Sequence, residues 1–468
     1  MKLPISHLPN RGQIWSWISF DVANQSFTLL INTVLFSLFF TKVVYTQPDK
    51  DAVWSYVFAG SMLLVVLASP VAGAIADDRS CKKQWLLGTG VACAALTCLF
   101  AVLGPDSLWL ALLLYIPANF CFNIGENFLA SFLPQLARRE DMARVSGFSW
   151  CIAYLAALAL LIITVGAITV FGLQDPQRFG PLFIFAGVWF LAFSIPTLLF
   201  LREAKTNAPS PGNPLVIGFT RLIESAKSTA QFRDLAVLLL GSFFYGVAMS
   251  TVISFASILV ERLGFDITKS VIFIAVVTIA GVVGTVIPAY FQDRLGHKRT
   301  IVSLLVVWLV ATSGFAYYAW QHARGQAQSP PVVVAQWPMW VFACLIGFGL
   351  GSLGSANRAF VAYLTPRARS AEVFGLWGLT FKLAAVGTVP FGVMMSRVGM
   401  PAALLTLCGF VLVGLFVTVF VNERRGADAA RKEDERLAKP VCAGCGRALD
   451  GLEASVAACP DCGRARAV

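Results

Sequence analysis

Charge is what this chain has least of. Asp, Glu, Lys and Arg make up 13% of its 468 residues, against 57% hydrophobic. A soluble domain carries about 25% charged residues, so a water-soluble fold is excluded for want of polar surface. Histidine is scarcer still: His7, His297 and His322 are the only three, and all lie outside the apolar runs. No P-loop, H-E-x-x-H or G-x-S-x-G stands in a context where it could work. That removes the common hydrolytic and ATP-driven chemistries, and we expect no enzyme. A cleavable signal peptide is not apparent, because the first apolar run starts near Trp15 and is too long for one. Acids are fewer than bases, 25 against 36. The excess of positive charge would suit nucleic acid, but its distribution argues for membrane orientation instead.

Apolar runs of about 20 residues recur, each long enough to cross a bilayer. Twelve spans are predicted, at 15–41, 53–75, 85–103, 107–133, 147–172, 181–201, 234–260, 268–291, 300–320, 335–362, 372–395 and 401–421. With both termini on the inner side, the inner segments hold 27 of the 36 basic residues. The outer loops hold Lys42, Lys50, Arg178, Arg262, Lys269, Arg324 and Arg397. This asymmetry predicts a multi-pass protein with cytoplasmic termini, placed in the cell membrane. The connection 202–233 divides the spans six and six. Leu215, Val216, Phe219, Leu222 and Ile223 recur there at helical spacing, as in a helix lying on the membrane surface.

The chain repeats itself. GAIADDRSCKK (73–83) and AYFQDRLGHKR (289–299) each set an acid at a membrane edge, then Arg, then a basic pair. Asp77 with Arg79 thus matches Asp293 with Arg294. FLPQLARREDMARVSGFSW (132–150) likewise matches YLTPRARSAEVFGLW (363–377), with Gly147 over Gly375. Two related sets of six helices follow, and transporters are commonly built so. The expected fold is all-α: twelve transmembrane helices in two pseudo-symmetric six-helix bundles. The predicted divisions are 1–201 and 234–421 for the bundles, 202–233 for the central loop, 422–440 for a charged linker or helix extension, and 441–468 for a separate tail.

The second loop copy resembles the D-R-x-G-x-K/R motif of the major facilitator superfamily; the first departs from it at Asp78, Ser80 and Cys81. FDVANQSF (20–27) resembles the signature opening the vacuole effluxer family. SPVAGAIADD, FLPQLA, RVSGFSWCIAYLAA and EVFGLWGLTFK resemble that family's later signatures. The resemblance implies a facilitator fold with spans 1, 4, 7 and 10 lining a central cavity, the acidic loops acting as gates, and export of amino acids.

Membrane helices seldom hold charge, so those that do carry the functional expectation. Asp21, Asn24, Gln25, Thr28 and Asn32 follow i, i+3, i+4, i+7 and i+11, which places them on one helical face. Asn119, Asn123 and Glu126 do the same in span 4. The later spans answer with Arg358 and Lys382. One reading makes these structural ion pairs across the two sets. The other makes Asp21 or Glu126 a proton-coupling site and the bases a receptor for a solute's anionic group. We expect a secondary transporter of a small anionic or zwitterionic solute. A cation-coupled sugar symporter, a drug exporter and a non-transporting membrane anchor are the alternatives.

The tail is different. Cys442 and Cys445 form one C-x-x-C, and Cys459 and Cys462 another, with thirteen residues between the pairs. Gly446 and Gly463 follow the pairs. Four thiolates so spaced predict closed tetrahedral zinc, a structural ribbon, with iron or disulfides as rivals. Such a module suits a cytoplasmic protein partner. The other seven cysteines are scattered and read as small core residues.

Overall fold

A run of twenty apolar residues in hydrocarbon can satisfy its backbone only as a helix. The computed structural model describes residues 10–79, 81–137, 139–203, 214–332, 334–366 and 369–438. Among them twelve helices are long and apolar enough to cross a membrane, which makes this a multi-pass integral membrane protein. They are Arg11–Val44, Lys50–Ala76, Lys82–Val102, Leu108–Ser131, Val145–Phe171, Gly180–Phe200, Arg233–Arg262, Ile267–Ile287, His297–Gln326, Trp337–Leu364, Glu372–Arg397 and Met400–Val419, here spans 1 to 12. Large apolar side chains such as Ile162, Leu199, Val310 and Phe416 stand exposed around them, as a hydrocarbon surround requires.

Three elements differ from the expectation. Span 1 is not one regular helix. It is α-helical over Arg11–Gln25, π-wound over Ser26–Leu35, α-helical again over Phe36–Phe39 and π-wound over Phe40–Val44. Span 11 breaks into Ser370–Val386 and Val389–Arg397, where Gly387 ends one piece and Pro390 opens the next. The charged stretch after span 12 is neither linker nor continuation but a helix of its own, Glu423–Ala438. Neighbouring-turn pairs support it: Arg431 with Asp428 and Glu435, and Arg436 with Glu433. The predicted surface helix is found at Pro214–Ala230. Val216, Phe219 and Ile223 are exposed on it, and Gly218 lets it press on the Pro70 carbonyl of span 2.

Packing follows a repeated scheme. Among spans 1–6, the substantial contacts are 3 on 4, 1 on 6, 3 on 6, 2 on 4 and 1 on 5. Among spans 7–12 each recurs six places on: 9 on 10, 7 on 12, 9 on 12, 8 on 10 and 7 on 11. Spans 2 and 11, 5 and 8, and 1 and 7 join the two sets. Spans 8 and 10 lie closest. A methyl on Gly351 would meet the Gly281 carbonyl oxygen, and one on Gly284 would meet that of Phe348, so here glycine is required by backbone approach.

A pair of glutamates marks the same scheme at the helix ends. The Lys82 and Lys83 N–H groups, at the start of span 3, donate to Glu203 Oε1 and Oε2 at 2.7 and 3.0 Å. The His297 and Lys298 N–H groups, at the start of span 9, donate to Glu423 Oε1 and Oε2, both at 3.1 Å. Each carboxylate follows the last span of its set and neutralises two orphan donors at a positive helix end. These contacts define one face of the molecule, the basic face. At the opposite face Arg262 pairs with the buried Asp51 at 2.5 Å and Lys42 with Glu261 at 2.6 Å. There the Ala52 N–H also donates to Ser396 Oγ at 3.0 Å. Deeper in, Ser37 meets Ser257 at 2.8 Å, and Trp54 Nε1 donates to the Ser254 carbonyl at 3.0 Å. Every one of these joins span 1 or 2 to span 7 or 11.

Candidate functional site

Ten residues of span 1 separate Asp21 from its start at Arg11, a depth of about 15 Å at 1.5 Å per residue. Its carboxylate accepts from Ser149 Oγ of span 5 at 2.7 Å. Glu126 of span 4 is exposed, and its charge acts on both Asp21 and Lys382. Lys382 of span 11 reaches across to span 4. Its ammonium donates to the Asn123 carbonyl at 3.1 Å and to Asn127 Oδ1. Asn127 Nδ2 then donates to Ser69 Oγ of span 2 at 3.1 Å.

From Asn123 a ladder of amides runs deeper into the first set. Asn123 Nδ2 donates to the Asn119 carbonyl at 2.8 Å, and Asn119 Nδ2 to Ser61 Oγ at 2.7 Å. Asn32 Nδ2 donates to Asn119 Oδ1 at 3.2 Å, and the Tyr115 hydroxyl to Asn32 Oδ1 at 3.0 Å. All of these are buried. Buried amides without partners would each cost about 1–3 kcal/mol, so the ladder must be matched to be tolerated, and it is.

Arg358 of span 10 is exposed, with its guanidinium between two indoles. Its central carbon lies 5.3 Å from the Trp377 ring centre and 5.8 Å from that of Trp150. It makes no hydrogen bond or ion pair with a described residue. Its planar fork is therefore held by its faces while its donors stay available.

Two expectations are corrected. The five polar positions of span 1 do not form one stripe. Asp21 faces span 5, whereas Asn32 faces span 4. The π-winding that begins at Ser26 adds residues to each turn, so Thr28 and Asn32 drift from the face that 21–25 define. Nor do the four charged groups pair across the sets. Among the described residues, neither Asp21 nor Glu126 forms an ion pair with Arg358 or Lys382; the bases are held by indoles and amides instead. Asn24 is buried at 3% exposure, and neither its Oδ1 nor its Nδ2 has a partner. Gln25 is half-buried. Tyr245 of span 7 is fully buried and bonded to Ser242 at 3.0 Å, a packing role.

Asp77 and Asp293 close the helices that end at Arg79 and Leu295, in matching places. Arg79 and Arg294 are exposed at those ends. Cys442, Cys445, Cys459 and Cys462 lie outside the described residues. Asn127, Ser69, Ser149 and Trp150 were not singled out from sequence. Asn127 had a signal, being one helical turn beyond Asn123. Ser149 had none, since a serine in a membrane helix usually bonds its own backbone.

The fold is that of a transporter of the major facilitator type. It matches the peptide-family transporter PepTSo with a TM-score of 0.66 at 12% identity, over 91% of this chain and 99% of that one. The family model "Vacuole effluxer Atg22 like" matches residues 41–431, and the chain belongs to that family. It is 22% identical to the MFS-type transporter YxiO of Bacillus subtilis, over 90% of this chain and 97% of the relative. It is 23% identical to autophagy-related protein 22 of Kluyveromyces lactis, over 82% of each.

Proposed function

We propose that the protein is a secondary active transporter that moves a small anionic or zwitterionic solute, amino-acid-like in its carboxylate, by alternating access. Residues 1–201 and 234–421 act as two six-helix bundles, with 202–233 as a cytoplasmic connection and both termini cytoplasmic at the cell membrane. The contact scheme that recurs six spans on, and the matching Glu203 and Glu423 caps, support that division. One observation carries the function: two cations, Arg358 and Lys382, sit inside spans at the join between the sets without a bonded carboxylate among the described residues. An indole-backed guanidinium presents a planar fork that fits a carboxylate edge-on. Asp21 or Glu126, on the other wall, carries the coupling cation. Asp77, Arg79, Asp293 and Arg294 serve the gates at the basic face.

The ion pairs at the opposite face support a state closed there. Solute then enters or leaves past the basic face until those pairs break. Cys442, Cys445, Cys459 and Cys462 hold a structural zinc, whose ribbon meets a cytoplasmic protein.

The solute is found first by a thermal-shift screen against amino acids, peptides, sugars and organic acids. Uptake into liposomes under an imposed proton gradient then tests the residues. Asp21→Asn and Glu126→Gln are expected to remove gradient-driven accumulation, at least in one case. Full accumulation in both variants refutes the assignment.

A second reading, in which the spans only anchor the cysteine-rich tail, draws on one feature. The helix Glu423–Ala438 is tied to span 7 by Arg425 and Asp234, at 2.7 and 2.8 Å, and to Arg369 by Glu433 at 2.7 Å. Deleting 439–468, which leaves those ties intact, separates the readings: transport survives only if the spans are the carrier.

A further inference from the structure

Asn24 is the least explained residue of the interior. A carboxamide this buried ought to be matched on both atoms, as Asn32 and Asn119 are in the ladder beside it. Its surroundings follow from register. Trp17 Nε1 donates to the Leu129 carbonyl at 2.7 Å, and the Phe27 ring stacks on Phe122 at 5.0 Å. Asn24 is two turns beyond Trp17 on the same side of the helix and one turn short of Phe27. It therefore looks onto span 4 between residues 122 and 129, the stretch that carries Glu126. Asp21 lies one turn below Asn24 and holds Ser149 at 2.7 Å. Three helices thus bring two carboxylates, a carboxamide and a hydroxyl to one place.

Charge decides what such a place takes. Asp21 and Glu126 are the negative charges here; Glu126 is exposed, and the two cations of the spans are held elsewhere, Lys382 by amides and Arg358 by indoles. Among the described residues one negative charge, that of Asp21, is left without a bonded cation inside the spans, where uncompensated charge is expensive. A monovalent cation cancels it; a divalent one overshoots. The donors are all oxygen, as hard cations prefer. The winding of span 1 changes at Ser26, directly after this group. Irregular turns of membrane helices are where carbonyls become available to companion carboxylates around sodium.

We propose that Asp21, Asn24 and Ser149, with Glu126 beside them, form a sodium site. This deepens the reading of Asp21 as a coupling residue and rests on it. The test needs neither solute nor gradient, so its failure is distinct from a failure of transport.

The purified full-length protein is melted in detergent at constant ionic strength while choline is replaced by sodium, potassium or lithium. Sodium is expected to raise the melting temperature by several degrees with a saturating curve, and potassium much less. Asp21→Asn is expected to abolish the rise. Asn24→Ala is expected to weaken apparent sodium affinity at least 10-fold, about 1.4 kcal/mol. Asn24→Asp, which keeps the shape and adds a charge, should tighten it and admit calcium. Ser396→Ala, at the opposite face, should respond as the native protein does. If Asp21→Asn does not fold, Asn24→Ala and Ser149→Ala carry the test. A native protein that melts alike in sodium and choline overturns the site. So does Asn24→Ala with an unaltered sodium response, or stabilisation by acid alone, which would assign the carboxylates to protons.

Discussion

Spans 1–6 and spans 7–12 share their frame and differ in their interior. Five contacts of the first set recur six spans on in the second, and the carboxylates of Glu203 and Glu423 hold corresponding helix ends. The polar interior does not correspond. The first set carries Asp21, Glu126 and a hydrogen-bonded amide ladder; the second carries Arg358 and Lys382 and a smaller buried group, Ser242 bonded to Tyr245 and Asn357. What repeats is what a bundle needs to stand. What fails to repeat cannot be scaffold duty common to both, and its charged members gather where the sets meet.

The largest effect expected is on that difference. Arg358→Gln should cut apparent affinity for the proposed anionic solute about 100-fold, or about 2.7 kcal/mol, with little change in melting temperature. Arg358→Lys should not restore it, because an ammonium lacks the planar fork the indoles of Trp150 and Trp377 flank. Uptake kinetics in proteoliposomes read both. Full rescue by lysine would reduce the site to a point charge and weaken the argument for a carboxylate.

The frame offers a second break, because its halves are not equally tight. Gly351→Ala forces a methyl against the Gly281 carbonyl between spans 8 and 10. Overpacking of this kind costs about 1–3 kcal/mol, and more where backbone is the obstacle. Gly354→Ala, one turn away, meets nothing within 4 Å and should leave stability within about 0.5 kcal/mol. Thermal unfolding of the two variants side by side is the measurement. Equal stabilities would mean that the close approach of spans 8 and 10 is dispensable.

Much of this frame was legible in the chain. Hydrophobic run length fixes the helices because hydrocarbon leaves the backbone no alternative, and the charged residues interrupting those runs stood out against apolar neighbours. Their partners did not. The break of span 11 was unforeseen although Gly387 and Pro390 announce it, since membrane helices often tolerate both residues. The π-winding of span 1 has no sequence signal that periodicity reads, so the face shared by Asp21 and Asn32 was an artefact of assuming 3.6 residues per turn. Pairing Lys382 with amides needed tertiary register: Asn127 and Lys382 are 255 positions apart. Glu203 and Glu423 were readable in principle, because each follows the last span of its set within a few residues.

Those caps supply a smaller and cleaner comparison. Glu203→Gln and Glu423→Gln each leave one of two helix-end donors without its carboxylate oxygen. Each should lower stability by about 1–2 kcal/mol, and the two losses should agree within about 0.5 kcal/mol. A much larger loss at Glu423 would show that the terminal helix Glu423–Ala438 depends on that residue in a way nothing after span 6 depends on Glu203. The repeat would then hold for contacts but not for energies.

The smallest effect belongs to the face where the sets are ion-paired. Lys42 and Glu261 approach to 2.6 Å, yet their side chains are 40% and 29% exposed. An exposed pair is worth about 0–1 kcal/mol, because water screens the attraction and ordering two long side chains costs entropy. Asp51 is buried and bonded to Arg262, so losing its charge strands a cation between spans 2 and 7. If these pairs hold this face shut, Lys42→Ala should raise its opening about two-fold and Asp51→Asn several times more. The maleimide labelling rate of a Ser257→Cys variant, in a background without Cys151 and Cys344, the exposed cysteines among the described residues, and without the four tail cysteines, reports the opening. Equal rates in all three proteins would leave the packing of Trp54 and of Gly392 on Ser55, rather than charge, as what closes the molecule there.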